Sequence, residues 1–335
     1  MSITVIKPGL LSSFQDAGRI GSQHLGVPVN GPMDMRAHRL ANLLAGNDRD
    51  LATLEITLAG PTLRFDAPAC FAITGADLQA TLNGKLLCRY RPLIARTGDI
   101  LAFGSAVPGT GVRAYLAIHG GYTLTPLLGS TSTYLRGSLG GHAGRALLKG
   151  DAIGLSSTLP DTETTLSAVA QALWQIRIYL PSTLSARARH QLRLLPGVHW
   201  DEFTPDSRHA LLHTAFHIST QSDRMGYRLE GPLLTMTTPR QILSDATCYG
   251  TIQVPAGGQA IVLMADRQST GGYPKIAQVI TADLPDLAQR GPGQSVQFAL
   301  TDLDDAQRLD GEREAAFAQL QKALAPIRDV LQEIR

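Results

Sequence analysis

Three blocks of this sequence recur in the same order, and a repeat restricts architecture more than any single motif can. Leu25-Gly-Val-Pro-Val-Asn-Gly-Pro32 lies 200 residues before Met225-Gly-Tyr-Arg-Leu-Glu-Gly-Pro232, with both glycines and the proline in register. Thr62 to Thr81 aligns without a gap on Thr251 to Thr270, at an offset of 189, with identities at Thr62, Ala67, Ala76, Asp77, Gln79 and Thr81. Ordinary composition supplies roughly one or two identities over such a stretch. Gly98 to Phe103 then aligns on Gly293 to Phe298 at an offset of 195. The chain, 335 residues long, has the length for two packed cores. It reads as one β-rich unit written twice.

The changing offset shows where the copies differ. Eleven extra residues fall in the first copy between its first two blocks. They read as a helix, with Asp34 as cap, Leu40, Leu43 and Leu44 on one face, and Gly46-Asn47 as the stop. The corresponding stretch of the second copy, Leu233 to Arg240, is shorter and ends with Pro239-Arg240. A later insertion near Asp283-Leu-Pro-Asp-Leu-Ala-Gln-Arg290 reads as one short helix, capped by Asp283 with Pro285 in its first turn. Between these insertions, Cys70-Phe-Ala-Ile-Thr74, Ala114-Tyr-Leu-Ala-Ile118 and Ala260-Ile-Val-Leu-Met264 are short apolar runs bounded by turn residues, as strands are. The pattern predicts two closed or nearly closed β-barrels.

The Ser/Thr-rich stretch from Ser156 to Ala170 reads as the linker, and Gln175-Ile-Arg-Ile-Tyr-Leu180 as the opening strand of the second copy. The tail spaces Phe317, Leu320, Leu324, Ile327 and Leu331 by three and four, the mark of an amphipathic helix that packs back on its own domain, with Pro326 bending it. The expected domains are 1–165, 166–303 and a helical tail at 304–335.

Charge excludes some partners. The 30 basic and 28 acidic residues are spread along the chain, so no broad polybasic field exists to hold nucleic acid or anionic lipid. A small molecule or a protein is the expected partner. Cys70, Cys88 and Cys248 have no paired spacing for a zinc knuckle or disulfide frame, which fits a reducing compartment. The N-terminus alternates like a strand and lacks a signal peptide's apolar core, and no apolar run is long enough to span a bilayer, so a soluble cytoplasmic protein is expected.

Positions where the copies diverge point to chemistry. His24, Pro28 and Leu78 of the first copy become Arg224, Arg228 and Arg267 in the second, and guanidinium forks bind carboxylate or phosphate in two-toothed fashion. Directly after Arg267 comes Gln268-Ser-Thr-Gly-Gly-Tyr-Pro-Lys275. Gly271-Gly272 permits positive φ and close ligand approach, and Tyr273-Pro274 stiffens the exit and aims Lys275. One segment thus gathers the Asp266 carboxylate, an amide, hydroxyls including Thr270, backbone donors and an ammonium group. A solvated glycine-rich hairpin is the plain alternative.

A second glycine-rich stretch, Leu128 to Arg145, offers hydroxyls and backbone N–H groups to an anion, or serves as an ordered loop closing the first barrel. It is not a Walker loop, since no G-x-x-x-x-G-K-[ST] pattern occurs in the chain. His209, His213 and His217 superficially suggest metal-ligand spacing, but the helix turns strand-like at Phe216, so they do not share a face and no metal is expected. No G-x-S-x-G elbow is present, which argues against a common covalent hydrolase.

The sequence closely resembles the family of 5-oxoprolinase C subunits, also described as allophanate hydrolase subunit 2 or biotin-dependent carboxyltransferase-like. The resemblance spans nearly the whole chain. It is carried by Phe14-Gln-Asp-Ala-Gly-Arg19, Gly31-Pro-Met-Asp34, Ala41-Asn42, Leu54-Glu55, Gly75-Ala-Asp77, Gly120-Gly121 and Leu128-Gly-Ser-Thr-Ser-Thr133. Three longer motifs are more specific: Ser222-Asp-Arg-Met-Gly-Tyr-Arg228, Gly250-Thr-Ile-Gln-Val-Pro255 and Ala265-Asp-Arg-Gln-Ser-Thr-Gly-Gly-Tyr-Pro-Lys275. One departure stands out, since family members usually read Ser-Glu-Gly where this chain has Ser244-Asp245-Ala246.

The resemblance implies a pair of cyclophilin-like β-barrels and a direct partner, the B subunit of 5-oxoprolinase, with a site at the junction of the two chains. The A subunit of the same enzyme completes the hetero-oligomer. Together these open 5-oxoproline to glutamate with ATP and Mg²⁺. On that basis Asp266, Lys275 and Gln268 are the expected catalytic residues, with Asp266 orienting Lys275 or binding a Mg²⁺-linked group and Gln268 hydrogen-bonding the lactam. Arg224, Arg228, Arg267, Thr270, Gly271, Gly272, Tyr273 and Ser132 are the expected substrate- or phosphate-binding set. The resemblance also allows carboxyl transfer from carboxybiotin to urea or another small amide, with biotin as cofactor. A non-catalytic regulatory protein that antagonises a kinase inhibitor is the third reading.

Overall fold

Chain order in the first half runs β1 (Ser2–Lys7), β2 (Leu11–Gln15), α1 (Met35–Leu44), β3 (Thr53–Thr57), β4 (Thr62–Phe65), β5 (Ala69–Gly75), β6 (Thr81–Leu82), β7 (Lys85–Leu86), β8 (Pro92–Ala95), β9 (Ile100–Ala102), β10 (Arg113–Ile118), β11 (Ala152–Gly154) and α2 (Glu163–Gln175). The second half continues with β12 (Gln191–Pro196), α3 (Pro205–His213), β13 (Phe216–Ile218), β14 (Gly226–Glu230), β15 (Asp245–Ala246), β16 (Thr251–Gln253), β17 (Ile261–Leu263), β18 (Thr270–Gly271), β19 (Lys275–Val279), α4 (Leu284–Ala288), β20 (Ser295–Leu300), α5 (Leu303–Ala323) and α6 (Ala325–Gln332). This computed structural model describes residues 1–185, 191–238 and 240–333. The protein is mainly β, as the sequence indicates. Among the described residues no helix is long and apolar enough to cross a membrane.

Contacts divide the chain into two compact units. One comprises Met1–Arg19, Asp34–Ser185 and Ala315–Arg335, the other Ile20–Met33 and Ala186–Glu314. The boundaries expected from sequence at 165 and 303 therefore move. The stretch read as a linker runs into α2, where the Thr162 hydroxyl caps the helix and Leu166, Val169 and Leu173 are buried. Gln175 ends that helix instead of opening a strand, and the strand that opens the second barrel is β12. Pro239, read as the end of a shortened stretch, lies outside the described residues.

In the first unit, one sheet has the order β11-β1-β4-β9-β6-β7 and the other β2-β3-β10-β5-β8. Side chains alternate across a strand, and β5 and β10 use both of their faces. Phe71, Ile73, Leu116 and Ile118 join one core with Ile3, Val5 and Phe65. Cys70, Ala72, Tyr115 and Ala117 join a second core with Leu40, Leu44, Phe317, Leu320, Ile327 and Leu331. Burial on both faces explains why these strands read as unbroken apolar runs. The tail stripe is real, and Pro326 lies where α5 gives way to α6. It joins the core that includes α1 in the first unit, while α5 up to Glu314 belongs to the second. Asp34 caps α1 through the Ala37 N–H at 2.9 Å, as expected.

The second unit is a closed barrel in the order β12-β19-β16-β17-β14-β13-β20, with β12 and β20 parallel where it closes. Leu192, Phe216, Ile252, Val262, Ile276 and Phe298 fill it. Arg193 is gripped by Asp283, which accepts from its backbone N–H at 2.8 Å, Nε at 3.0 Å and Nη2 at 2.6 Å. That use of the carboxylate explains why Asp283 precedes α4 without the side-chain cap expected of it.

The aligned stretches carry strands at matching positions, β4 with β16, β5 with β17 and β6 with β18. Their pairing differs. β16 and β17 are hydrogen-bonded neighbours, whereas β4 and β5 belong to different sheets. The block Leu25–Pro32 has no strand to match β14, and it forms part of the second unit.

Candidate functional site

Lys275 opens β19 and lies directly opposite Gln253 of β16. The register shifts at this pair, and the contacts of both side chains with one short ribbon place them on the same side of the barrel wall. Over them lies a short ribbon in which β15 pairs with β18, Asp245 facing Gly271 and Ala246 facing Thr270. Lys275 Nζ donates to Asp245 Oδ2 at 3.2 Å and to the Ala246 carbonyl at 2.7 Å. Its backbone N–H donates to His199 Nδ1 at 3.1 Å. Lys275 is 7% exposed, while the Asp245 side chain is 74% exposed. The Ala246 N–H and the lysine ammonium hold the Asp245 carboxyl below its ordinary range.

Neither Gly271 nor Gly272 adopts positive φ, contrary to the sequence expectation. Space is what they supply. A Cβ on Gly271 would meet Gln253 Nε2 at 2.5 Å, and one on Gly272 would meet the Ile242 carbonyl at 3.2 Å. Among the described residues, Gln253 Nε2 is buried without a hydrogen-bond partner. Tyr273 is half exposed beside the ribbon.

Asp266 and Arg224 form a separate, closed cluster. Arg224 Nε and Nη2 donate to the two Asp266 oxygens at 3.0 Å each, and the Asp266 N–H donates back to the Arg224 carbonyl at 2.8 Å. Asn30 Nδ2 donates to Asp266 Oδ1 at 2.8 Å, and Arg224 Nη2 to the Gly31 carbonyl at 2.7 Å. Arg224 is 4% exposed and Asp266 3%. The acid therefore orients Arg224 and Asn30, and the carboxylate that Lys275 engages is Asp245 rather than Asp266. Arg224 likewise donates to protein oxygens, those of Asp266 and Gly31.

The other expected residues scatter by environment. Arg267 is half buried, its guanidinium 5.9 Å from the Tyr249 ring centroid. Burial pulls its pKa down against the opposing pull of Cys248, Tyr249 and Asp266, and Nε has no partner among the described residues. Gln268 is held by its backbone, whose carbonyl accepts from the Thr247 hydroxyl. Thr270 and Arg228 are exposed, on β18 and β14.

Ser132 belongs to the first unit and is fully buried. Its hydroxyl donates to Asp16 Oδ1 at 2.7 Å, as does Ser130 Oγ at 2.6 Å, and the Thr131 N–H donates to Asp16 Oδ2 at 2.6 Å. Burial pushes the Asp16 pKa up, but those donors outweigh it and the net shift is downward. Arg19 completes the loop, donating to the Leu127 and Ser132 carbonyls at 2.9 Å each. The second glycine-rich stretch thus binds the protein's own Asp16 and Arg19, in the role of an ordered loop.

Sequence reasoning misses Asn30, Gln253 and His199. A polar residue inside the buried strand Thr251-Ile-Gln253 is the available signal for Gln253. Asn30 gives none, because its partner lies 236 positions away.

A family described as carboxyltransferase domain, subdomain A and B, matches residues 25–300. The chain is 38% identical to the 5-oxoprolinase C subunit of Escherichia coli (strain K12), over 95% of this chain and 97% of that protein. It is 30% identical to urea amidolyase of Saccharomyces cerevisiae, over 95% of this chain but 18% of that protein. Among solved structures it is similar to K. lactis urea amidolyase, with a TM-score of 0.83 and 31% identity over 95% of this chain and 20% of that one.

Proposed function

This chain belongs to the carboxyltransferase domain, subdomain A and B, family, and from that premise we propose that it is the C subunit of an ATP-dependent 5-oxoprolinase. In this reading it works with the A and B subunits of that enzyme in hydrolysing 5-oxo-L-proline to L-glutamate. The observation that carries the reading is the end-to-end match to the E. coli C subunit, with 95% of one chain laid on 97% of the other.

The chemistry agrees. A five-membered lactam is a stable amide, and ATP in the assembled enzyme phosphorylates its oxygen, which makes the carbonyl carbon a better electrophile for water and the oxygen a leaving group. Among the described residues no group of three or more His, Cys, Asp and Glu is placed to hold a metal ion. What the chain offers is a sheltered ammonium on Lys275, an amide donor on Gln253 and a partly desolvated guanidinium on Arg267. Such groups stabilise developing negative charge more strongly away from water.

A second reading, carboxyl transfer from carboxybiotin to urea or a related amide, is favoured by the likeness to K. lactis urea amidolyase. Co-purification of the chain with the A and B subunits, followed by measurement of ADP and glutamate released from 5-oxoproline, tests the first reading. It predicts equal amounts of the two products. Urea-dependent consumption of carboxybiotin without any glutamate would transfer support to the second.

A further inference from the structure

Two polar side chains of barrel strands, Lys275 of β19 and Gln253 of β16, face the β15–β18 ribbon. Beneath it, Lys275 Nζ is satisfied by a carboxylate oxygen of Asp245 and by the carbonyl oxygen of Ala246. Beside it, the Gln253 amide nitrogen is buried with no acceptor among the described residues, packed where the absent side chain of Gly271 leaves room. A buried unsatisfied donor is costly, and folded proteins retain few of them. The ribbon itself is held by little. It contains only Asp245–Ala246 and Thr270–Gly271, and residues 243–246 are exposed along with Thr270. Its latch to the barrel is the Lys275 ammonium, bonded to the Ala246 carbonyl and paired with the solvent-facing Asp245 carboxylate, and exposed ion pairs are weak.

We propose that Lys275 and Gln253 are the recognition pair for a small ligand carrying a carboxylate and an amide carbonyl, and that Asp245 and Ala246 are its intramolecular surrogates, displaced when it binds. The surrogates present the same acceptors as the ligand, one carboxylate and one amide carbonyl. The ligand's carboxylate replaces that of Asp245 on the ammonium, and its carbonyl oxygen gives the Gln253 amide the acceptor it lacks. The ribbon lifts to admit the ligand and is held open by the loss of its own latch. For the identity of the ligand, 5-oxoproline, this rests on the function proposed above.

Calorimetric titration of the full chain with 5-oxoproline, N-acetylglycine and 2-pyrrolidinone tests the pair. Asp245→Ala removes the internal competitor and is expected to tighten 5-oxoproline binding about tenfold. Gln253→Met keeps length but removes the donor, and is expected to weaken binding about tenfold, as for one hydrogen bond. The lactam without a carboxylate, 2-pyrrolidinone, binds more weakly still. Asp245 is exposed, so its substitution reports even where the Gln253 variant does not fold. Unchanged or weaker binding by Asp245→Ala overturns the proposal, as does no binding of any probe to the native chain and to Asp245→Ala. Binding of N-acetylglycine with the Asp245 dependence, but not of 5-oxoproline, upholds the pair and removes the lactam as substrate.

Discussion

Asp77 and Asp266 hold equivalent positions in the aligned repeat, and their surroundings separate the two units. Asp77 lies 3.5 Å from Arg89 with its side chain 36% exposed, and its Oδ1 accepts from the Gln79 N–H at 2.8 Å. Asp266 is buried and takes hydrogen bonds from Arg224 and Asn30. The glycine-rich stretches diverge in the opposite sense. The one in the first unit satisfies Asp16 and Arg19 of the chain itself, whereas the one in the second unit forms a thin ribbon over Lys275 and leaves Gln253 unsatisfied. Similar glycine-rich stretches thus build a closed internal network in one unit and an open set of donors in the other.

The largest expected effect tests the buried acid. Asp266→Ala leaves the Arg224 guanidinium buried without its carboxylate, and such removals cost about 3–5 kcal/mol. Asp77→Ala loses only a partly exposed pair, worth ~0–1 kcal/mol. Urea unfolding of both variants measures the difference, and equal midpoints would erase the contrast.

Acid sharpens it next. His38 in the first unit is fully buried, with Nδ1 2.8 Å from Thr53 Oγ1. Burial lowers its pKa to about 4, against the pull of Asp50 and Asp16 in the other direction. Its folded pKa lies below the unfolded value, so its contribution is complete above about pH 6.5 and is lost as pH falls through that value toward 4. The loss is on the order of 3 kcal/mol. His38→Gln should flatten the pH slope of stability across that window, and an unchanged slope would assign the acid sensitivity elsewhere.

Smaller again is Ser132→Ala, which removes one donor to Asp16. It should cost about 1 kcal/mol in a thermal melt while turnover of the assembled enzyme stays at the native level.

Much of the fold is legible in the sequence because it rests on local pattern. The Asp34 cap, the Leu40 face of α1 and the tail stripe all obey helical spacing, and the apolar runs correspond to β5, β10 and β17. The opening strand of the second copy is misplaced because Gln175-Ile-Arg-Ile-Tyr-Leu180 alternates like a strand, yet follows a well-capped helix that carries through Gln175. The site is legible as a segment but not as a set of pairings. Arg224, Asp266 and Lys275 each stand out in the sequence, while their partners, Asn30, Gly31 and Asp245, are brought to them only by tertiary structure. Asp245 is visible as a departure from Ser-Glu-Gly, and only the structure shows its carboxylate on the lysine.

The claim that the second unit carries the ligand chemistry is tested most directly by ATP-coupled opening of 5-oxoproline in the assembled enzyme, with Lys275→Ala and Ser132→Ala measured side by side. The account predicts that Lys275→Ala lowers turnover by about a hundredfold or more, in the range seen when a charge-stabilising donor is removed, while Ser132→Ala stays near native. Full turnover by Lys275→Ala would contradict it.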